Sequence, residues 1–279
     1  SFEDSYQLIK CTFNNLDPEF GQILNTMQHH GQIDVYPRQG KVSGAFCSSS
    51  TNNPTFVLLN HTNDFNSVTT FAHEMGHAIH SELSKSQPVI YEKYSTSTAE
   101  TASTFFEQFV FEELIKDFSQ EEKIAALHNQ IQDDINTVFR QIALFNFEQD
   151  LHQAVRASGF LQAKQIGELL NKHSSSYLGQ TMELTELDGS FFIIWPHIRY
   201  FFYTYTYAFG HLVSKALVRK TKKNPEFVAK VKQFLSAGGS DTPQNIFADI
   251  GLDISQPDFF NQGLKQIEKE IEKLEAMAG

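Results

Sequence analysis

Phe71-Ala72-His73-Glu74-Met75-Gly76-His77-Ala78-Ile79-His80 is the stretch whose reading decides the rest of the chain. His73 and His77 are four apart, so on a helix both imidazoles share one face, one turn apart, and can bind one ion together. Glu74 is rotated about 100° around the axis from His73, so its carboxylate reaches the ion's open position without taking a ligand place. Two histidines with a carboxylate so placed are the pattern of a zinc ion with a general base beside it. The bare pattern turns up in a shuffled chain of this composition roughly 3 times in 100. Its setting therefore decides against an ordinary amphipathic helix with polar histidines. Val68, Phe71, Ala72, Met75 and Ile79 give the apolar stripe of a helix, and Asp64 or Ser67 is placed to cap it.

A catalytic zinc takes a third protein ligand and leaves its fourth position to water. His80 lies on the same stripe, where three ligands cannot surround an ion, so it reads as a supporting or surface group. Glu82 and Glu92 fall in or near the following loop. Glu100 opens an apolar helix with Phe105, Phe106 and Phe109, which would pack antiparallel to the first and set Glu100 opposite the histidines. Glu107, seven residues on, shares that face and would hold the free ring nitrogen of a ligand histidine. Exchanged roles for Glu100 and Glu107 are the alternative.

Asp17-Pro18 supplies an N-cap and a first-turn proline ahead of Phe20, Ile23, Leu24 and Met27, which predicts a short helix. Ser1 to Cys11 shows no capping signal, and Ser1 is not an initiator Met, so the chain is expected to start inside a longer protein. Gly40, Gly44 and the polar run Ser48 to Asn53 read as turns, and Phe56 to Leu59 as a strand. Phe56 to Asn60 is expected to be an exposed edge that binds extended peptide, with Gly40 and Gly44 either letting backbone approach the peptide or serving as turn glycines. Ser119 and Glu122 form a capping box for a helix running to Ser158-Gly159. Further helices are expected near 163–174, 198–220, 226–236, 243–250 and 258–276, with a stop and restart at Gly238-Gly239-Ser240 and Thr242-Pro243. The expected fold is mainly α with a small β element before the metal-binding helix. It reads as one domain over 1–279, with 1–60 the N-terminal helix and β element and 61–279 the helical, metal-binding part.

A net charge of −11 over 279 residues argues against nucleic acid as a partner. No apolar run is long enough to cross a membrane, and no leader is visible. Cys11 and Cys47, the two cysteines, are too few for a disulfide framework, so a reducing cytoplasm is expected and both thiols read as inert packing groups. His29, His30, His61, His128, His152, His173 and His211 have no metal-ligand spacing and read as structural or surface groups. His197, Tyr200, Tyr203, Tyr205 and Tyr207 crowd the stretch after Trp195. Such groups can donate to an oxyanion formed on a peptide carbonyl, although each alone reads more simply as packing. Arg199 would pair with a structural carboxylate or a substrate C-terminus.

The segment His73 to Glu107, including Gln87-Pro88 and Tyr94 to Phe105, resembles the oligoendopeptidase F branch of the thimet oligopeptidase family of zinc peptidases. Gly40 to Phe46, Asn60 to Thr62, Trp195 to Gly210 and Phe234 to Ser240 resemble it too. The resemblance implies a zincin-like helical metallopeptidase catalytic domain, an endopeptidase of short peptides with one zinc per chain. It makes His73, His77 and Glu100 the ligands, Glu74 the general base acting on zinc-activated water, His197 and Tyr205 the oxyanion donors, and Tyr203 the next candidate. It sets Gly44 and Ala45 against the substrate. Members of that family are longer, so an N-terminal lobe, missing here, or a second chain is an expected partner. The alternatives are a metallocarboxypeptidase and a catalytically silent, zinc-stabilised peptide-binding fragment.

Overall fold

The computed structural model describes residues 1–50 and 52–279. Its described residues divide into two compact units, Ser1–His128 with Gly210–Gly279, and Asn129–Phe209.

The first unit opens with α1 (Phe2–Leu16), an element that sequence reading missed. Ser1 caps it after all: its hydroxyl accepts from Asp4 N–H, while the Asp4 carboxylate accepts back from the Ser1 amine and hydroxyl. The partner three residues on is Asp rather than the Glu or Gln of the usual capping box, so the sequence pattern does not mark this start. Helix α2 (Pro18–His29) follows the expected Asp17 cap, with Pro18 in the first turn.

Strands β1 (Ile33–Asp34), β2 (Phe46–Ser50) and β3 (Asn53–Leu58) form one sheet in the order β1-β3-β2. β1 runs parallel to β3, and β2 antiparallel to it, with Cys47 opposite Val57 and a register shift between Ser48 and Ser50. Two expectations are corrected here. Phe56 lies on the central strand, and the outer strands are β1 and β2; and Ser48 to Ser50, which read as turn chemistry, are strand because β3 gives their backbone a partner. Thr51, part of the same polar run, lies outside the described residues.

Helix α3 (Phe65–Ser84) carries the motif, and the Asp64 carboxylate caps it by accepting from Ser67 N–H at 2.8 Å. Its partner is α4 (Thr96–Leu114), capped by Ser95. His73 lies by Glu107, Gly76 by Ser103, and His80 on Tyr94 just ahead of α4. Positions rising along α3 thus meet positions falling along α4, so the two are antiparallel. Phe13 of α1 and Phe20 of α2 both meet the Phe106 ring of α4 at 4.9 Å between centroids, in edge-to-face geometry. Phe71, Ala72, Met75, Ala78 and Ile79 are fully buried, so α3 lies in the middle of this core.

The capping box at Ser119 and Glu122 starts α5 (Gln120–Ile135). A π-helical segment at Asn136–Arg140 intervenes before α6 (Gln141–Ser158), which Gly159 ends at φ 76°. In the second unit α6 and α7 (Ala163–Leu178) surround a core of Leu144, Phe147, Leu170 and Trp195. After the short α8 (Glu186–Gly189) and 3₁₀ turns, the stretch expected to be helical from 198 is a 3₁₀ turn at Pro196–Arg199 followed by a tight reversal. Phe201 and Phe202 have φ of 47° and 54°, so α9 (Tyr205–Lys223) begins seven residues later than expected. The first unit ends with α10 (Val228–Ser236), α11 (Pro243–Asp249) and α12 (Pro257–Ala278). The loop between α10 and α11 bonds back to the α3–α4 connection, Gly239 N–H to Tyr91 O at 2.8 Å.

The α3–α4 contact is closest at Gly76, where a Cβ would stand 2.7 Å from Ser103 Cα and 3.1 Å from Ala102 O. Those are backbone atoms in the middle of a buried helix, so they cannot step aside. Gly76→Ala is expected to destabilise the fold by about 1–3 kcal/mol through overpacking, read from its urea-unfolding midpoint; an unchanged midpoint would show that the helices can separate freely.

Candidate metal centre

On this pair of helices, one ligand atom each from His73, His77 and Glu100 falls within 4.8 Å of the others. His73 Nε2 and Glu100 Oε2 are 3.6 Å apart, close to the edge of about 3.3 Å expected between ligands at zinc distance in a tetrahedron. The His73 and His77 rings meet edge to face at 4.9 Å. Glu107 Oε2 sits 2.8 Å from His73 Nδ1, leaving Nε2 to turn toward Glu100. α4 therefore brings two of its glutamates to His73, Glu107 at one ring nitrogen and Glu100 near the other.

Burial works against charge on His73, but the Glu107 hydrogen bond and the charges of Glu107, Glu100 and Glu74 outweigh it and push its pKa up to about 9. His77 has only burial and two neighbouring histidines, so it is held well below the usual range and stays neutral. Burial raises Glu74 to about 7, against the pull of the His73 charge, with Glu100 adding to the rise. Burial also raises Glu100. The Glu74 carboxylate accepts a backbone hydrogen bond from Cys47 of β2, and its Oε2 is buried with no hydrogen-bond partner. Two imidazoles, a carboxylate and an unsatisfied glutamate oxygen are a donor set that a divalent cation fits.

Beside Glu74 opens a cleft of about 460 Å³, lined in part by Gly44, Ala45, Asn60 and Thr70. Asn60 donates its amide to Val42 O and Gly44 O, fixing the loop that leads into β2. Gly40 and Gly44 both have φ of 81°, so the turn itself requires glycine at each. An added Cβ at Gly44 would meet nothing within 4 Å. Close packing therefore does not explain Gly44.

The aromatic cluster belongs to the second unit. His197 Nε2 lies 3.1 Å from Tyr207 Oη, and the Tyr203 ring packs on both. Tyr205 instead meets Phe145 at 5.5 Å and is substantially exposed. Tyr207, one of the crowded tyrosines but not one that the resemblance singles out, is thus the hydroxyl joined to His197. Among the described residues Arg199 pairs with no carboxylate, which corrects that reading. Its guanidinium donates to Trp195 O and Ile193 O.

The profile of peptidase family M3 matches residues 18–266. The chain belongs to peptidase family M3. Group B oligopeptidase PepB of Streptococcus agalactiae is 30% identical over 263 residues, covering 92% of this chain and 44% of the relative. Oligopeptidase PepF of Bacillus subtilis is 29% identical over 265 residues, 94% of this chain and 40% of the relative. A crystal structure of a Chlamydophila abortus protein assigned as a peptidase superposes with a TM-score of 0.85 at 29% identity, over 99% of this chain and 47% of that one. The chain spans less than half the length of the relatives it matches. No described helix is long and apolar enough to cross a membrane.

Several features of this M3 chain lay beyond sequence reading. A Cβ at Gly210 would stand 2.6 Å from Glu100 Cβ, so the glycine lets α9 press directly on the third residue of the cluster. A lone glycine in a helical pattern was the available signal. Cys11 is exposed, which corrects its reading as a packing residue, whereas Cys47 is part-buried and its thiol is pushed up to about 12 by burial and the Glu74 charge. His80 is not a surface group. It is fully buried, stacked on Tyr94 with centroids 3.6 Å apart and planes 10° from parallel, and neither ring nitrogen has a partner.

Burial pushes His80 down to about 3, so the folded chain keeps it neutral while the unfolded chain protonates it below about 6.5. Its contribution to stability is present above 6.5 and is lost as pH falls toward 3, by at most about 1.4 kcal/mol per pH unit. His80→Phe keeps the stack without the titration. Its denaturation free energy should therefore fall less steeply than the parent's between pH 6.5 and 4; equal slopes would contradict the assignment.

Proposed function

We propose that this chain carries the hydrolytic site of a zinc metalloendopeptidase that cleaves short peptides. The observation that carries this reading is the convergence of His73, His77 and Glu100 within 4.8 Å, with Glu74 buried beside them and one carboxylate oxygen unsatisfied. The names of the M3 relatives as oligopeptidases support the substrate class. His73, His77 and Glu100 would hold the ion. Zinc, when bound, supplies a Lewis acid for the scissile carbonyl and lowers the pKa of water.

The remaining steps fall to the chain's own groups. Glu74, raised to about 7, is matched to taking a proton from the attacking water near neutral pH and handing it to the leaving amine. The Cys47 N–H holds its carboxylate in place. Because β2 is an outer strand and leads from Gly44 and Ala45 past Glu74, an extended peptide could add to its free edge through main-chain hydrogen bonds. His197, Tyr203 and Tyr205 are assigned as donors to charge developing on the carbonyl oxygen, and Tyr207, bonded to His197, joins them. The rival reading is a silent, zinc-stabilised peptide-binding fragment.

Glu74→Gln is expected to lower kcat on a fluorogenic peptide blocked at both ends by about 10²–10⁴-fold while zinc content stays near one per chain. Undiminished turnover would sink the mechanism. Failure of the parent chain to cut any peptide while holding zinc would favour the silent reading, and cleavage only of peptides with a free C-terminus a carboxypeptidase.

Since ligation needs a neutral Nε2 on His73, zinc binding at pH 7.5 should displace the proton that the about-9 pKa keeps there. Calorimetry in two buffers of different ionisation enthalpy should report release of at least one proton. Glu107→Gln should reduce that release and weaken zinc roughly 10–100-fold; equal release in the variant would remove Glu107 from the account.

A further inference from the structure

Glu148 of α6 is fully buried, far in sequence from any residue assigned a role so far. Its Oε1 accepts the N–H of Phe202 at 2.9 Å, and its Oε2 has no hydrogen-bond partner. The only basic group within 4 Å of it among the described residues is His152, whose Nε2 stands 3.9 Å from Oε1. A carboxylate is an expensive way to satisfy one backbone donor, since burial penalises the charge and leaves half the group unmatched.

The donor it holds is unusual. Phe201 and Phe202, at φ of 47° and 54°, are consecutive bulky residues in the left-handed region, where a Cβ crowds the following carbonyl and glycine is the ordinary choice. Packing secures them unequally. The Phe202 ring lies on His152 at 4.9 Å and on Phe145 at 6.0 Å, whereas Phe201 meets the edge of His152 at 6.2 Å and is 69% exposed. The reversal separates the 3₁₀ turn of His197 from the start of α9, so it fixes the angle at which His197 meets Tyr203 and Tyr207.

We infer that Glu148 is a positioning residue: its carboxylate locks the Phe201–Phe202 reversal in the left-handed conformation and so holds His197 and the tyrosines in their donor arrangement. The catalytic half of this inference rests on the proposed role of His197 and the tyrosines; the conformational half stands without it. A residue that merely filled space would be indifferent to which backbone angles the reversal prefers. Glu148, as a lock on strain, should become dispensable once the strain is removed.

The test uses the full chain with Glu148→Gln, which keeps an acceptor oxygen, Glu148→Met, which removes it at similar volume, and Phe201→Gly, which makes positive φ unstrained while deleting an exposed ring. Two readouts are independent of activity: hydrogen exchange at the Phe202 amide, and collisional quenching of Trp195. Trp195 is the chain's single tryptophan, buried, with its ring 6.2 Å from that of His197. Glu148→Met is expected to speed Phe202 exchange at least 100-fold, to raise quenching severalfold, and to lower kcat on the blocked peptide tenfold or more with KM within twofold. Glu148→Gln should stay within threefold of the parent in all of these. Adding Phe201→Gly to Glu148→Met should restore most of the protection and turnover.

Parental exchange and quenching in Glu148→Met, or no recovery in the double variant, would overturn the inference. Should Glu148→Met fail to fold, folding of the double variant supports it and failure of both overturns it. Should the parent cut no peptide, the proposed activity fails, and exchange and quenching still decide the role of Glu148.

Discussion

The contact on which most of this structure depends is the one between Gly76 and the backbone at Ala102 and Ser103. Two helices that approach until a methyl group would collide have little freedom in register or crossing. That fixed register sets Glu100 and Glu107 against His73. The aromatic packing of Phe13, Phe20 and Phe106 then closes over the same pair from α1 and α2. Gly210 repeats the device from α9, pressing on Glu100 itself. The candidate cluster is therefore held by the absence of side chains at two positions as much as by the residues that compose it.

The electrostatics of the cluster follow from that closeness. Three glutamates and two histidines share a partly buried volume, so each group's protonation depends on which partners it faces. His73 faces all three carboxylates and holds a proton; His77, one turn on, is kept neutral by burial, with the neighbouring histidines adding to it. Glu74 is raised by burial yet anchored through the Cys47 backbone. A cation bound at such a site would replace a proton rather than add a lone charge.

The second unit uses a different constraint. Its aromatic groups lie on either side of a backbone reversal that bulky residues adopt against preference, and conformations of this kind persist where the surroundings over-determine them. The strain is local, carried by Phe201 and Phe202, and the groups that oppose it are the buried Glu148 and the ring packing of Phe202.

Much of the helical framework was legible in the sequence because its signals are local. Asp17-Pro18, Asp64 with Ser67, and Ser119 with Glu122 cap where their spacing says they should, and the stripe through Phe71, Met75 and Ile79 is buried. The Ser1–Asp4 cap was equally local and was missed only because its acid is the shorter one. By itself the sequence determined a mainly helical chain in which His73, Glu74 and His77 share one helical turn, since a period of 3.6 residues needs no tertiary information. Which strand forms the sheet edge, that His80 is core, that Glu107 meets Nδ1 while Glu100 faces Nε2, and that Tyr207 rather than Tyr205 meets His197 were decided only by tertiary structure. Each depends on contacts between segments far apart in the chain, or on a strained turn that shifts the phase of everything after it.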